Sequence, residues 1–311
     1  MGGRKVIFNV DTGIDDAIAL IMALEFSDID ILGIATVAGN VDVDKTTKNT
    51  LRILDLLDRG DIPVYRGARG PLVKNLVTSE IIHGYDGLGD CSLPGPRSRE
   101  KSVYAPRFIT DTLEGEKDVT IVSTGPLTNI AISILYNPDI VNSIDKIIVM
   151  GGMYGLTSYS IGNVSPYAEY NFYVDPEAFH ILYRSGVNIV AIGLDVTQNP
   201  ESYLDRDLYN EIKEINSVKA RIVSSITNNI IRTRGFFELH DPIAVCYLAR
   251  PELFRFRDLY VSISLDNGSS RGYVYVFKSK PRNTGDFGLV SSAYWLDAKG
   301  FIEFLLDVLR A

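Results

Sequence analysis

The stretch Val6-Ile-Phe-Asn-Val-Asp-Thr-Gly-Ile-Asp-Asp-Ala-Ile-Ala-Leu20 decides the fold of this chain. Val6 to Val10 is short, almost wholly apolar and rich in β-branched and aromatic residues, a pattern that predicts a buried strand. Gly13 lets the chain turn. Beyond it, Ile18, Leu20, Ile21 and Leu24 recur at helical spacing behind Asp15 and Asp16. Asp11, Asp15 and Asp16 are thereby expected at the carboxyl end of a first strand, where open α/β sheets bind their ligands. Helix capping and the helix dipole account for one or two acids in a first turn. A third carboxylate at the strand end repels them unless a cation or proton is present. All-oxygen donors of this kind suit magnesium or calcium better than zinc.

Strand and helix patterns alternate outward from this segment. Strands are predicted at 29–37, 119–123, 146–150 and 188–192, and helices at 43–57, 127–135 and 176–184. That order implies an α/β fold, an open and mainly parallel sheet with helices on both faces. The C-terminal third reads differently: a long helical stretch at 207–233, a helix at 242–248, β-rich runs at 259–264 and 272–277, and a closing helix at 295–309. The two β-rich runs are expected to form a small antiparallel extension of the sheet. With no composition break, residues 1–311 are expected to form a single domain.

Composition narrows the function. The chain is 46% hydrophobic and carries a formal charge of −8. This balance argues against nucleic acid or an anionic membrane as partner and in favour of a small molecule. Cys91 and Cys246 form no metal or disulfide pattern, the N-terminus runs directly into the first strand, and no apolar run is long enough to span a bilayer. A cytoplasmic protein is expected. Two long stretches, 67–103 and 151–171, are rich in Gly, Pro, Asn and Tyr, and loops of that length are commonly functional.

The remaining candidates lie in these loops and at strand ends. His83 begins His-Gly-Tyr-Asp-Gly-Leu-Gly89, and His240 precedes Asp241 and Pro242 at a helix start. Thr124-Gly-Pro-Leu-Thr-Asn129 follows one strand and Met150-Gly-Gly-Met153 ends another. Asn163, Glu169 and Asn171 offer hydrogen-bonding groups suited to sugar hydroxyls.

With these segments in order, the chain resembles the inosine-uridine-preferring nucleoside hydrolases. The likeness rests on 11–17, Ala38-Gly-Asn40, 83–89, 125–129, 150–152, Ala168-Glu-Tyr-Asn171 with Asp175-Pro-Glu177, Asp195-Val-Thr197 and His240-Asp-Pro242. It implies a Rossmann-like nucleoside hydrolase fold and calcium-dependent cleavage of the N-glycosidic bond of purine or pyrimidine ribonucleosides. It further implies that Asp11, Asp16, the Thr128 carbonyl and Asp241 hold Ca2+, with Asp11 also acting as the base toward water. Asp15, Asn40, Asn163, Glu169 and Asn171 would bind ribose, Met150 would pack on the sugar, His83 would lie in a mobile loop near the base, and His240 would protonate the departing base. A homodimer or homotetramer is implied as well. Tyr85, Tyr154, Tyr159, Phe236 and Phe237 are candidates to stack the base, so purine and pyrimidine both stay open.

One departure is Asn9, where the family pattern has Asp. An aspartyl phosphatase would need its nucleophile at that position, and an amide cannot form a phospho-aspartate. A non-catalytic calcium- or nucleoside-binding protein is the rival from another class. Asp11 and His240 beside the binding residues favour an enzyme.

Overall fold

The computed structural model describes residues 3–282 and 286–311. Its first half alternates strand and helix, with three elements not predicted between residues 57 and 119: β1 (Arg4–Val10), α1 (Ile14–Ala23), β2 (Ile29–Thr36), α2 (Val43–Leu56), β3 (Val64–Arg66), the short α3 (Glu80–His83), α4 (Ala105–Gly115), β4 (Val119–Ser123), α5 (Thr128–Tyr136) and β5 (Ile144–Met150). There follow α6 (Tyr170–Val174), α7 (Pro176–Ser185), β6 (Ile189–Ile192), α8 (Leu194–Thr197), β7 (Leu204–Asp205), α9 (Arg206–Glu214), α10 (Val218–Arg234) and β8 (Phe236–Phe237). The chain ends with α11 (His240–Ala249), β9 (Phe254–Ile263), β10 (Val274–Phe277), β11 (Gly288–Leu296) and α12 (Ala298–Arg310).

Among the described residues, nine strands form one sheet in the order β10-β9-β11-β6-β5-β4-β1-β2-β3. From β3 to β11 the neighbours run parallel, whereas β9 is antiparallel to both β11 and β10. The expected antiparallel extension is present. Its third member, β11, was not foreseen, and the closing helix predicted from Trp295 begins only at Ala298. Trp295 lies in the strand, with the Arg255 guanidinium over its ring. Asp297 caps α12 by accepting the Gly300 N–H at 3.1 Å, and that cap, rather than the tryptophan, marks the helix start. The helical stretch at 207–233 is likewise two helices. Ser217 caps the second by accepting the Ala220 N–H.

Alternation along the strands builds two cores. Val6, Phe8 and Val10 face one layer with Ile148, Met150, Val190 and Ile192, while Ile7, Ile121, Ile147, Val149 and Ile189 face the other. Residues of α1, α2, α10, α11 and α12 cover the first face, and those of α4, α5 and α7 cover the second. Strand order reverses at β1: the chain moves outward through β2 and β3, then returns to place β4 on the other side. Such a reversal leaves a crevice at the carboxyl ends of β1 and β4, the place where open sheets bind ligands.

Candidate active site

Four carboxylates meet at this crevice. Asp11 follows β1, Asp15 and Asp16 lie in the first turn of α1, and Asp241 lies in the first turn of α11. All four are buried. Oxygens of Asp15, Asp16 and Asp241 lie within 4.8 Å of one another, so the two helices begin at the same point and aim their positive ends at the acids. Every residue of α1 is buried, which allows α11 to pack along it.

Backbone and amide donors fix the cluster. Asp16 accepts the Gly13 N–H at 2.9 Å and Asn40 Nδ2 at 3.1 Å on one oxygen, and the Thr124 hydroxyl at 2.6 Å on the other. Asp11 accepts the Asn40 N–H at 2.7 Å through Oδ2. Glycine is required on two sides of the cluster. A Cβ on Gly39 would lie 2.0 Å from Asp11 Oδ2, and one on Gly13 would lie 2.5 Å from His83 Nδ1.

Asp11 Oδ1 and Asp15 Oδ1 are buried without a hydrogen-bond partner. Among the described residues the only basic side chain within ion-pair reach of the four acids is His83, whose Nδ1 stands 3.8 Å from Asp15. Burial, followed by the charge of Asp16, pushes Asp15 up to about 8 and Asp11 above its ordinary range. Burial also raises Asp16, and burial with repulsion from Asp15, Asp16 and Asp11 raises Asp241. Clustered carboxylates with unpaired oxygens and no cationic partner fit a hard divalent ion, which takes oxygen ligands and removes the repulsion.

The acids form one end of a cavity of about 500 Å³. Its walls include Asp15, Asn40, His83, Met150, Asn163, Glu169, Asn171, His240 and Asp241, nine of the residues picked from the sequence. Asp11 and Asp16 stand behind that wall. Thr128 does not reach it: it is the first residue of α5, its hydroxyl donates to Asp175 at 2.5 Å, and a carbonyl at that position points into the helix ladder. Thr124, directly after β4, meets the acids instead.

Glu169 accepts the N–H groups of Gly152, Asn171 and Phe172 at 2.8–3.0 Å, and burial pushes its carboxyl up to about 7. Asn171 Nδ2 donates to the Thr124 carbonyl at 2.7 Å and to the Met150 carbonyl at 3.1 Å, which ties it to the ends of β4 and β5. Asn163 Oδ1 accepts the Tyr170 N–H.

The two histidines stand at the junction of the acids and the outer cavity. His83 closes α3 and is buried, not on an open loop; its Nδ1 accepts the Ile14 N–H at 3.1 Å, and burial holds it neutral, down to about 3. His240 Nδ1 pairs with the Thr197 hydroxyl at 2.8 Å, leaving Nε2 as its free nitrogen. Burial lowers its pKa while Glu238 acts in the opposite sense. Asp195, in the same motif as Thr197, accepts the Tyr154 and Leu156 N–H groups at 2.7 and 2.5 Å and anchors the loop after β5.

Of the aromatic candidates only Phe237 lines the cavity. Tyr85 is exposed with the Lys45 ammonium 3.6 Å above its ring, Tyr154 is buried, and Phe236 stacks on Tyr203. Tyr170, Gln198, Arg234 and Glu238 also line it and were not foreseen. The Tyr170 hydroxyl lies 2.6 Å from the Val77 carbonyl and 2.7 Å from that of Gly39, a link across the cavity that depends on tertiary structure and leaves no local signal.

Asn9 is buried and outside the cavity wall. Its Nδ2 donates to Ser123 Oγ and the Pro126 carbonyl, and its Oδ1 accepts from Asn129. It braces the turn after β4, and as an amide it cannot form a phospho-aspartate.

The fold thus sets a carboxylate cluster at its switch point, with a polar cavity above it. The pattern described as "Inosine-uridine preferring nucleoside hydrolase" matches residues 6–303, and the chain belongs to that family. It is 37% identical to the pyrimidine-specific ribonucleoside hydrolase RihA of Shewanella baltica, over 99% of this chain and 96% of that protein. It is 35% identical to the protein of the same name from Escherichia coli, over 98% of each. Among solved structures, the plant nucleoside hydrolase PpNRh1 superposes with a TM-score of 0.91 at 28% identity, over 99% of both chains. The purine-preferring ribonucleoside hydrolase from Gardnerella vaginalis superposes with a TM-score of 0.88 at 29% identity, over 99% and 98%.

Proposed function

We propose that this enzyme hydrolyses the N-glycosidic bond of purine or pyrimidine ribonucleosides to free base and ribose, with calcium as its metal. Pyrimidine nucleosides are the first candidates, because the RihA relatives carry that name. The observation that carries the reading is the pair of unpartnered oxygens, Asp11 Oδ1 and Asp15 Oδ1, in a buried acid cluster beside a cavity lined with hydrogen-bonding groups.

Asp11, Asp16 and Asp241 would hold the ion, with Thr124 in the place that the family resemblance implied for Thr128. A bound calcium supplies Lewis acidity, lowering the pKa of water and gathering oxygen ligands. Asn40 holds Asp11 Oδ2, which leaves Oδ1 to accept the proton of the attacking water. The water oxygen bonds to the anomeric carbon as the carbon–nitrogen bond breaks, its electron pair leaving with the base. His240 Nε2 gives that nitrogen a proton, and Thr197 keeps the ring oriented. Positive charge developing on the ribosyl ring is favoured by Asp15 and the neighbouring acids. Asn40, Asn163, Glu169 and Asn171 would orient the ribose hydroxyls, Met150 would pack on the sugar, and His83, held neutral, would border the base.

The reading includes a single-domain protein in the cytoplasm, acting in nucleoside salvage as a homodimer or homotetramer; family resemblance supports the assembly, and two unpaired cysteines fit a reducing compartment. No helix among the described residues is long and apolar enough to cross a membrane. A panel of ribonucleosides assayed for free ribose, with calcium and after chelation, tests the function. Calcium-dependent ribose release is expected, and its absence from every nucleoside would refute it.

A further inference from the structure

α6 is only five residues long, and a helix that short does not hold itself in water. It nevertheless carries Tyr170 and Asn171 into the cavity wall, behind Glu169 at its cap. The far end of α6 is tied by a side chain 98 residues away. Arg271, between β9 and β10, donates from Nε to the Tyr173 carbonyl at 3.0 Å and from Nη2 to the Val174 carbonyl at 3.2 Å. Both terminal nitrogens also reach the Glu177 carboxylate of α7 at 2.9 Å. These are carbonyls that a helix end leaves without partners.

The contact is built rather than incidental. Arg271 is only 4% exposed, and Glu177 balances its charge. Gly272 has φ +75°, and a Cβ there would lie 2.7 Å from Tyr173 Cα, so the turn rests directly on α6. Arginine suits the task because its planar fork serves two carbonyls and a carboxylate together, which a lysine ammonium cannot do in the same geometry.

We propose that Arg271 is a positioning residue for the sugar-binding turn: by holding the last carbonyls of α6 it sets where Asn171 stands against the ends of β4 and β5 and where Tyr170 stands beside it. The antiparallel extension of the sheet thereby becomes part of the substrate site. This inference rests on the ribonucleoside hydrolysis proposed above.

A double-mutant cycle tests it. kcat/KM for ribose release from uridine and inosine is measured for the wild type, Arg271→Met, Asn171→Ala and the double variant, and amide exchange is followed in the calcium-loaded protein. Arg271→Met is expected to lower kcat/KM by about 10- to 100-fold, the scale of a small misplacement of a reacting partner. Exchange should quicken in 169–175 and not in α1. Arg271→Met should then cost far less in the Asn171→Ala background than in the wild type, because its loss passes through the Asn171 side chain. Arg271→Lys should lose less than Arg271→Met and serves in its place if the latter does not fold. Losses that multiply, an unchanged kcat/KM, or quickened exchange throughout the chain would overturn the proposal. A wild type that releases no ribose would refute the functional reading instead, and the clamp would then stand or fall on the exchange data.

Discussion

The two ends of the cavity are built in different ways. At the acid end Asp11, Thr124 and Met150 leave β1, β4 and β5, Asp15, Asp16 and Asp241 open α1 and α11, and all six are buried. The rest of the wall is assembled from Val77, Ile81 and Ile82 around α3, Phe237 of β8 and the Arg234–Glu238 ion pair at 2.8 Å, and Ile81 is 93% exposed. Strand ends and helix starts cannot move without the sheet, whereas loops and short elements vary freely. Under the proposed function, the difference teaches that the chemistry at the sugar is set by the fold, and that recognition of the base is left to parts the fold does not constrain.

The comparison breaks first at Asp11. Asp11→Asn is expected to lower kcat by about 10³- to 10⁴-fold, the upper part of the range for a positioned proton acceptor. The metal-free variant should melt no lower than the wild type, because it loses a buried charge that burial and Asp16 disfavour. Near wild-type kcat at saturating calcium would remove Asp11 from the base role.

His240 stands between the two ends. His240→Ala is expected to slow uridine or inosine hydrolysis by about 10²-fold while sparing 4-nitrophenyl riboside, whose leaving group needs no proton. Equal losses on both substrates would assign His240 to the sugar end.

A smaller effect sharpens the electrostatics of the acid end. The folded pKa of Asp15 lies at about 8, above its ordinary value of 3.8, so the metal-free folded state holds a proton that the unfolded chain releases in between. Its contribution is fully present below the lower value and lost as pH rises through the higher one. In chelator, Asp15→Asn should therefore gain in Tm over the wild type as pH climbs toward 8, and calorimetry at several pH values measures the gap. A gap that narrows over that interval contradicts the burial account.

The smallest effect belongs to the base end. Ile81→Ala should change the ratio of kcat/KM for uridine and inosine by less than about tenfold, as expected for trimming one apolar contact. Calcium affinity, read by titration calorimetry, should not move. A coupled loss of calcium binding would show that the two ends are not separable.

The same contrast decides what could be read from the sequence. Residues 6–24 disclose a strand, a turn and a helix because an apolar run, Gly13 and two acids lie within one short window. Asp241 joins them from the other end of the chain, and only the family resemblance linked it to Asp11. Between Thr124 and Thr128 the local pattern does not discriminate; the pairing of Asn9 with Ser123 does, since it sets Thr124 just beyond the paired strand ends. Trp295 and its neighbours read as helical until the β11 pairing with β9 and the Asp297 cap are seen. Which aromatic rings reach the cavity depends on long-range packing, and for that reason Phe237 was legible only as one of five candidates. Arg234 and Glu238, four residues apart, look like an ordinary solvated pair.

The central claim is that the acid end holds one calcium ion against the sugar, and a crystal structure grown with calcium and a slowly cleaved ribonucleoside analogue tests it most directly. The expected result is a single ion about 2.3–2.6 Å from carboxylate oxygens of Asp11, Asp16 and Asp241, with ribose hydroxyls completing its shell. An ion bound elsewhere, or a ribose seated at the Ile81 and Phe237 end with these carboxylates unoccupied, would contradict it.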